Sequence, residues 1–257
     1  MPSGPKVFIT GASSGIGAAL AAHYAHDGAV LGLCARRLEK TQALLERLGA
    51  AGACYSVDVN DAASLRAAAA DFSGRYGTPD VVIANAGIGA GTLTENLEDL
   101  PVFRAIMDTN VLGMVTTFHP FVDAMRTRAS GTLVGIASVA GFRGLPGGGA
   151  YSASKAAAIT YLESLRVELH GSGVSVVTLC PGYIRTPMTA ANRYRMPFLM
   201  DADEAARRMA RAIAAKRRLA VIPWQMALVS IVLRRLPRWL YDRLAAGAPR
   251  KARGLSQ

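Results

Sequence analysis

Apolar residues along this chain gather into short continuous runs separated by longer amphipathic stretches. The runs are KVFIT (6–10), AVLGLCA (29–35), ACYSV (53–57), VVIANAG (81–87), TLVGIAS (132–138) and VSVVTLCPG (174–182). They are rich in β-branched residues and lack in/out alternation, the mark of strands covered on both faces. Between them, 16–27, 38–49, 61–76, a long region around 101–127, and 151–171 have the length and periodicity of helices. Repeated β-α units of this size predict a parallel sheet with right-handed crossovers, a doubly wound α/β fold. No internal repeat or low-complexity linker interrupts residues 5–182, so the pattern predicts one domain over 1–257.

Composition supports a compact enzyme-sized core, with 51% hydrophobic and 18% charged residues. The net charge of +11 suggests nucleic acid until it is divided along the chain. Residues 1–182 hold 13 Lys+Arg against 14 Asp+Glu, whereas 183–257 hold 16 against 4. The basicity belongs to the C-terminal part, and no reading module with interleaved aromatics accompanies it, so a polynucleotide partner is not expected. Cys34, Cys54 and Cys180 lie far apart without CxxC or ligand-spaced histidines, which predicts buried thiols in a reducing, cytoplasmic setting and no metal site. The start, MPSGPKVFIT, has none of the apolar stretch of a secretory signal.

Ligands of doubly wound sheets sit at the carboxyl ends of the strands. The first strand ends in Thr10-Gly11-Ala12-Ser13-Ser14-Gly15-Ile16-Gly17, a glycine turn entering a helix, whose N-terminal N–H groups suit a pyrophosphate. At the end of the second strand, where an NAD site usually offers an acid to the ribose, stand Arg36 and Arg37. Their guanidinium groups suit the 2′-phosphate of NADP(H), which is therefore expected over NAD(H), with the Ser13 hydroxyl adding a contact. Tyr151-Ser152-Ala153-Ser154-Lys155 opens a helix after Ser138. Residues i and i+4 share a face, so the Lys155 ammonium is predicted beside the Tyr151 phenol, lowering its pKa toward an acid/base range.

Together TGASSGIG, Asn85-Ala86-Gly87, Asn110, Ser138, Tyr-x-x-x-Lys and Pro181-Gly182 resemble the short-chain dehydrogenase/reductase family, over about residues 5–187. The resemblance implies a single Rossmann-like domain with a seven-stranded, mostly parallel sheet flanked by helices and a C-terminal helical extension. It implies hydride transfer between a nicotinamide and a carbonyl or secondary alcohol. Tyr151 would be the proton donor, Ser138 the hydroxyl on the substrate oxygen, Lys155 the residue that also holds the nicotinamide ribose, and Asn110 the residue that positions a water. Asp58-Val59 would contact adenine, Asn85-Ala86-Gly87 would form the cofactor-side turn, Pro181-Gly182 would contact the cofactor, and Ile184 and Thr186 would meet the carboxamide. The family also implies a homodimer or homotetramer.

On the substrate side, the family architecture places Ile88, Leu145, Tyr183 and Met188 beside Ser138 and Tyr151, an apolar pocket that points to a lipophilic ketone. Residues 188–215 fall where the family carries its substrate lid, and 216–257 form a basic, apolar extension. Within it Leu219 to Leu233 is mostly apolar, and Arg234-Arg235-Leu236-Pro237-Arg238-Trp239-Leu240-Tyr241 follows. Too short to span a bilayer, this stretch suits a helix in an anionic membrane interface, giving peripheral contact through 219–253 at the inner face of a membrane. A subunit interface or a cap over the pocket explains the same residues. Two further readings are an NADP+-dependent alcohol dehydrogenase running toward oxidation, and a cofactor-binding scaffold whose tail recruits membranes or partners.

Overall fold

A computed structural model of the chain describes residues 4–254 apart from 191, 193, 249 and 252. Ala191 and Arg193 of the expected lid, and Pro249, Ala252 and 255–257 of the expected extension, thus lie outside the described residues, as do residues 1–3.

Seven strands form one sheet: β1 (Lys6–Thr10), β2 (Val30–Ala35), β3 (Gly52–Ser56), β4 (Val81–Ala84), β5 (Gly131–Ile136), β6 (Val174–Pro181) and, as an edge, Leu219–Ile222. Their order is β3-β2-β1-β4-β5-β6-edge, and every neighbouring pair is parallel. The order reverses between β1 and β4, the switch point at which such sheets open a crevice. A two-stranded pair, β7 (Ile184–Arg185) and β8 (Met200–Asp201), lies outside it, so the edge strand is β9.

Helices α1 (Gly15–His26), α2 (Leu38–Leu48) and α3 (Ala62–Tyr76) follow the first three strands. The region around 101–127 is not one helix but α4 (Asp99–Met107), a π-helical turn (Asp108–Leu112) and α5 (Gly113–Thr127). Next come α6 (Gly149–Glu168), the short α7 (Pro187–Ala190), α8 (Ala202–Ala214), α9 (Trp224–Arg235) and α10 (Arg238–Ala245). Two buried clusters cover the two faces of the sheet, one around Ile9, Leu20, Leu33 and Met209, the other around Phe8, Phe72, Phe118, Phe121 and Leu162.

Two structural details bear on the C-terminal part. Leu219 to Leu233 divides into β9 and α9, because Ala220 and Ile222 bury themselves at the sheet edge while Pro223 opens a new helix. Within 188–215, α8 turns Ala205, Ala206, Met209 and Ile213 into the core cluster. Among the described residues no helix is long and apolar enough to cross a membrane.

Candidate active site

The glycine turn is held open by its neighbours. After Thr10 ends β1, Gly11 takes φ +68°, a conformation that costs glycine little. Asn85 Nδ2 then donates to the carbonyls of Thr10 (3.1 Å) and Gly11 (2.9 Å), tying the turn to the end of β4. The Asn85 and Ala86 N–H groups donate to Thr10 Oγ1 at 3.3 and 3.5 Å. Gly17 packs α1 so closely on this turn that a Cβ there would stand 2.4 Å from the Gly11 carbonyl oxygen. Ser14 caps α1 in an extended conformation without a side-chain cap, so its hydroxyl leaves the first-turn N–H groups to a ligand. Gly15 faces Thr186, whose Cγ2 lies 3.1 Å from the place of a Cβ on Gly15. Ile184 anchors this segment in the core.

Such a cradle, closed to side chains and offering backbone donors, fits the pyrophosphate of a dinucleotide. Ser13 and Ile16 are half-buried at its rim, and Arg36 and Arg37 are exposed at the end of β2, free to meet an anion. Asp58 is exposed and accepts from the Asn60 N–H at 3.0 Å, while Val59 is buried against Gly113.

Ser138, Tyr151 and Lys155 meet at the end of β5 and the start of α6. Ser138 caps the turn Val139–Gly141: its Oγ accepts from the Ala140 N–H at 3.1 Å and donates to the Pro181 carbonyl at 3.4 Å. One turn beyond Tyr151, the Lys155 ammonium lies 5.7 Å from that tyrosine's ring centroid and donates to the Ile136 carbonyl at 2.8 Å. Asn110 sits in the π turn, where the extra residue aims its buried side chain at the β4 loop. Its Oδ1 accepts from the Ile88 N–H (2.8 Å), and its Nδ2 donates to the Ile88 carbonyl (2.9 Å) and to Ser154 Oγ (2.9 Å). Ser154 in turn donates to the Tyr151 carbonyl. Gly87 lies between them, with Asn110 Oδ1 3.1 Å and Lys155 Nζ 3.6 Å from the place of its missing Cβ.

The electrostatics differ from the sequence expectation. Burial pushes the Tyr151 phenol above its ordinary value, and the hydrogen bond with Ser138 pulls back in the other direction. The expected lowering by Lys155 is not what sets the phenol; the Lys155 ammonium is itself brought down to about 8 by desolvation and donates to the Ile136 carbonyl. Cys180, next to Lys155, is pushed up to about 12 by burial and stays a neutral thiol.

On the side of Tyr183, its ring packs edge-on against Tyr194 at 6.3 Å, and burial raises both phenols. Leu145 and Met188 are 42% and 38% exposed. The chain's end approaches Tyr151. Lys251 places its ammonium 5.5 Å from the Tyr151 ring centroid, and Arg253 pairs with Asp99 at 3.0 Å. Sequence reasoning missed Tyr194, Lys251 and Arg253. No local spacing links residue 251 to residue 151, and the basic character of the tail was the one signal present.

Comparison with known proteins agrees with this geometry. The family described as short chain dehydrogenase matches residues 5–196. An uncharacterized oxidoreductase of Myxococcus xanthus is 40% identical over 242 residues, covering 92% of this chain and 94% of that protein. A putative ketoacyl reductase of Streptomyces coelicolor is 34% identical over 190 residues, 72% of each chain. Among solved structures, an alcohol dehydrogenase from the archaeon Thermococcus sibiricus, complexed with 5-hydroxy-NADP, superposes with a TM-score of 0.75. It is 28% identical and the match covers 85% of this chain and 95% of that one. With three quarters of its length matched by the family and a cradle shaped for a dinucleotide, the chain belongs to the short-chain dehydrogenase/reductase family of NAD(P)-dependent oxidoreductases.

Proposed function

We propose that the chain is an NADPH-dependent reductase of lipophilic ketones, with Ser138, Tyr151, Lys155 and Asn110 as its working residues. The observation that carries this reading is the meeting of the Ser138 hydroxyl, the Tyr151 phenol and the Lys155 ammonium beside the glycine turn. Gly11 to Gly17, Asn85-Ala86-Gly87, Asp58-Val59, Pro181-Gly182, Ile184 and Thr186 would hold the dinucleotide, and Arg36, Arg37 and Ser13 its 2′-phosphate. A related structure complexed with 5-hydroxy-NADP supports that choice. When bound, the reduced nicotinamide supplies a hydride.

The chain's own residues handle oxygen and proton. Ser138 Oγ and Tyr151 Oη donate hydrogen bonds to the carbonyl oxygen and stabilise the negative charge that grows there. The raised pKa keeps the phenol protonated at neutral pH, so Tyr151 holds the proton that the new alkoxide takes. Lys155, one helical turn away with its ammonium held at the Ile136 carbonyl, would hold the nicotinamide ribose beside that phenol. Asn110 fixes the Ile88 backbone and, through Ser154, the turn of α6 that carries Tyr151.

A screen of straight-chain ketones of increasing length, run in both directions with NADPH or NADH, tests this reading. Wild-type protein is expected to gain kcat/KM with chain length and to prefer NADPH. Tyr151→Phe should lower turnover by at least about a thousandfold while cofactor affinity, read by fluorescence titration, stays within about threefold. An active phenylalanine variant overturns the assignment of the proton donor. The same reading gives the molecule a second copy of itself as partner and an anionic surface as the counterpart of its basic C-terminal helices.

A further inference from the structure

The last described residues form a strap across the substrate side of the site. Arg253 Nε and Nη2 donate to the two Asp99 carboxylate oxygens at 3.0 and 3.2 Å, and the same guanidinium lies 3.6 Å from Glu98. Asp99 is 6% exposed and also accepts from the Leu93 N–H at 2.8 Å, so this anchor is a buried, doubly bonded carboxylate. Arg253 bridges Gly91 in parallel register, and the aliphatic chain of Arg250 lies against Gly147. The strap is thus pinned to the loops after β4 and before α6, the two that flank Tyr151.

Between those pins Lys251 points inward. It is half-buried, and among the described residues its ammonium has no carboxylate and no hydrogen-bond acceptor. What it does have is the Tyr151 ring, and Gly89, where a Cβ would come within 3.1 Å of Nζ and 2.9 Å of the tyrosine ring. Burial lowers its pKa, the sign of a cation stripped of water without a counterion. Burying an unpaired ammonium is costly, and the cost is relieved when an anion arrives.

We propose that Lys251 is the substrate-recognition cation of this enzyme, and that the natural ketone carries a carboxylate beside an apolar chain. The proposal rests on the reductase reading above and narrows it: the substrate class is an apolar oxo acid. The carbonyl meets Ser138 and Tyr151, the carboxylate meets Lys251, and the chain runs toward Tyr183, Met188 and Leu145.

Turnover of straight-chain oxo acids, with the keto group two to four carbons from the carboxylate, is compared with that of their methyl esters at saturating NADPH. The wild-type protein should favour acid over ester at least tenfold in kcat/KM. Lys251→Met should raise KM for the acids at least tenfold with kcat within about threefold, leave the esters unchanged, and Lys251→Arg should restore the preference. Equal treatment of acid and ester by the wild type, or an equal loss on both in Lys251→Met, overturns the proposal. Failure of the reductase reading looks different: neither acid nor ester is turned over. Calorimetric binding of decanoate to the NADP+-loaded protein then still reads the carboxylate contact, expected at least tenfold weaker in Lys251→Met, with equal affinities overturning it.

Discussion

Lys155 is a buried cation whose only acceptor among the described residues is a backbone carbonyl, and its pKa falls on folding from an ordinary 10.5 to about 8. Between those values the unfolded chain binds more protons at this position than the folded one, so this group makes stability rise as pH climbs through the window. Below about 8 both states are charged and the full penalty applies, about 3 kcal/mol for a shift of this size. Lys155→Met removes that penalty and forfeits one hydrogen bond of about 1 kcal/mol. The variant should therefore be inactive yet more stable than wild type by about 1–2 kcal/mol at pH 7, and the gain should vanish near pH 10.5. Urea denaturation at the two pH values measures this, and a gain that does not shrink with pH removes the buried charge as its cause.

At the scale of elements, periodicity in the sequence located the strands because parallel strands buried on both faces read as unbroken apolar runs. Val81–Ala84 ended three residues before the run VVIANAG did, since Asn85 leaves the ladder to hold the glycine turn. The π turn at Asp108–Leu112 was not legible: 101–127 keeps a helical pattern on both sides, and one extra residue in the spiral leaves no mark on composition. Yet that residue aims Asn110 at Ile88 and Ser154. The Tyr151-to-Lys155 spacing was legible because it is local, whereas Lys251 reaches the same ring only through the path of the whole tail. Asn110→Ala would leave the Ile88 N–H and carbonyl without their present partner, at about 2–3 kcal/mol. A correspondingly lower denaturation midpoint with unchanged slope is the expected result, and a loss under about 0.5 kcal/mol would show that the Ile88 backbone finds other partners.

For the whole molecule, the uneven charge decides what its two exposed apolar faces can meet. Leu100, Phe103 and Leu112 along α4 and the π turn are exposed and belong to the near-neutral part of the chain, where the second copy proposed above would meet little charge repulsion. The other face runs along α9 and α10, where Trp224, Leu228, Val232, Trp239 and Leu244 are more than half exposed among Arg234, Arg235, Arg238 and Arg243. A two-fold contact through this face would set those arginines against their own copies, which opposes self-association there and makes the anionic surface proposed above the partner to test. Cutting the chain at Ala220 is a poor test, because β9 would be severed in mid-strand and the β6 edge left bare. Trp224→Gln with Trp239→Gln changes the surface and spares the sheet. On the membrane reading, wild-type protein should sediment with phosphatidylglycerol vesicles, release as salt is raised, and ignore phosphatidylcholine, while the double variant stays in the supernatant with its oxidoreductase activity intact. Equal pelleting of the two proteins would remove the tryptophan face as the contact, and no pelleting of either would end the membrane reading.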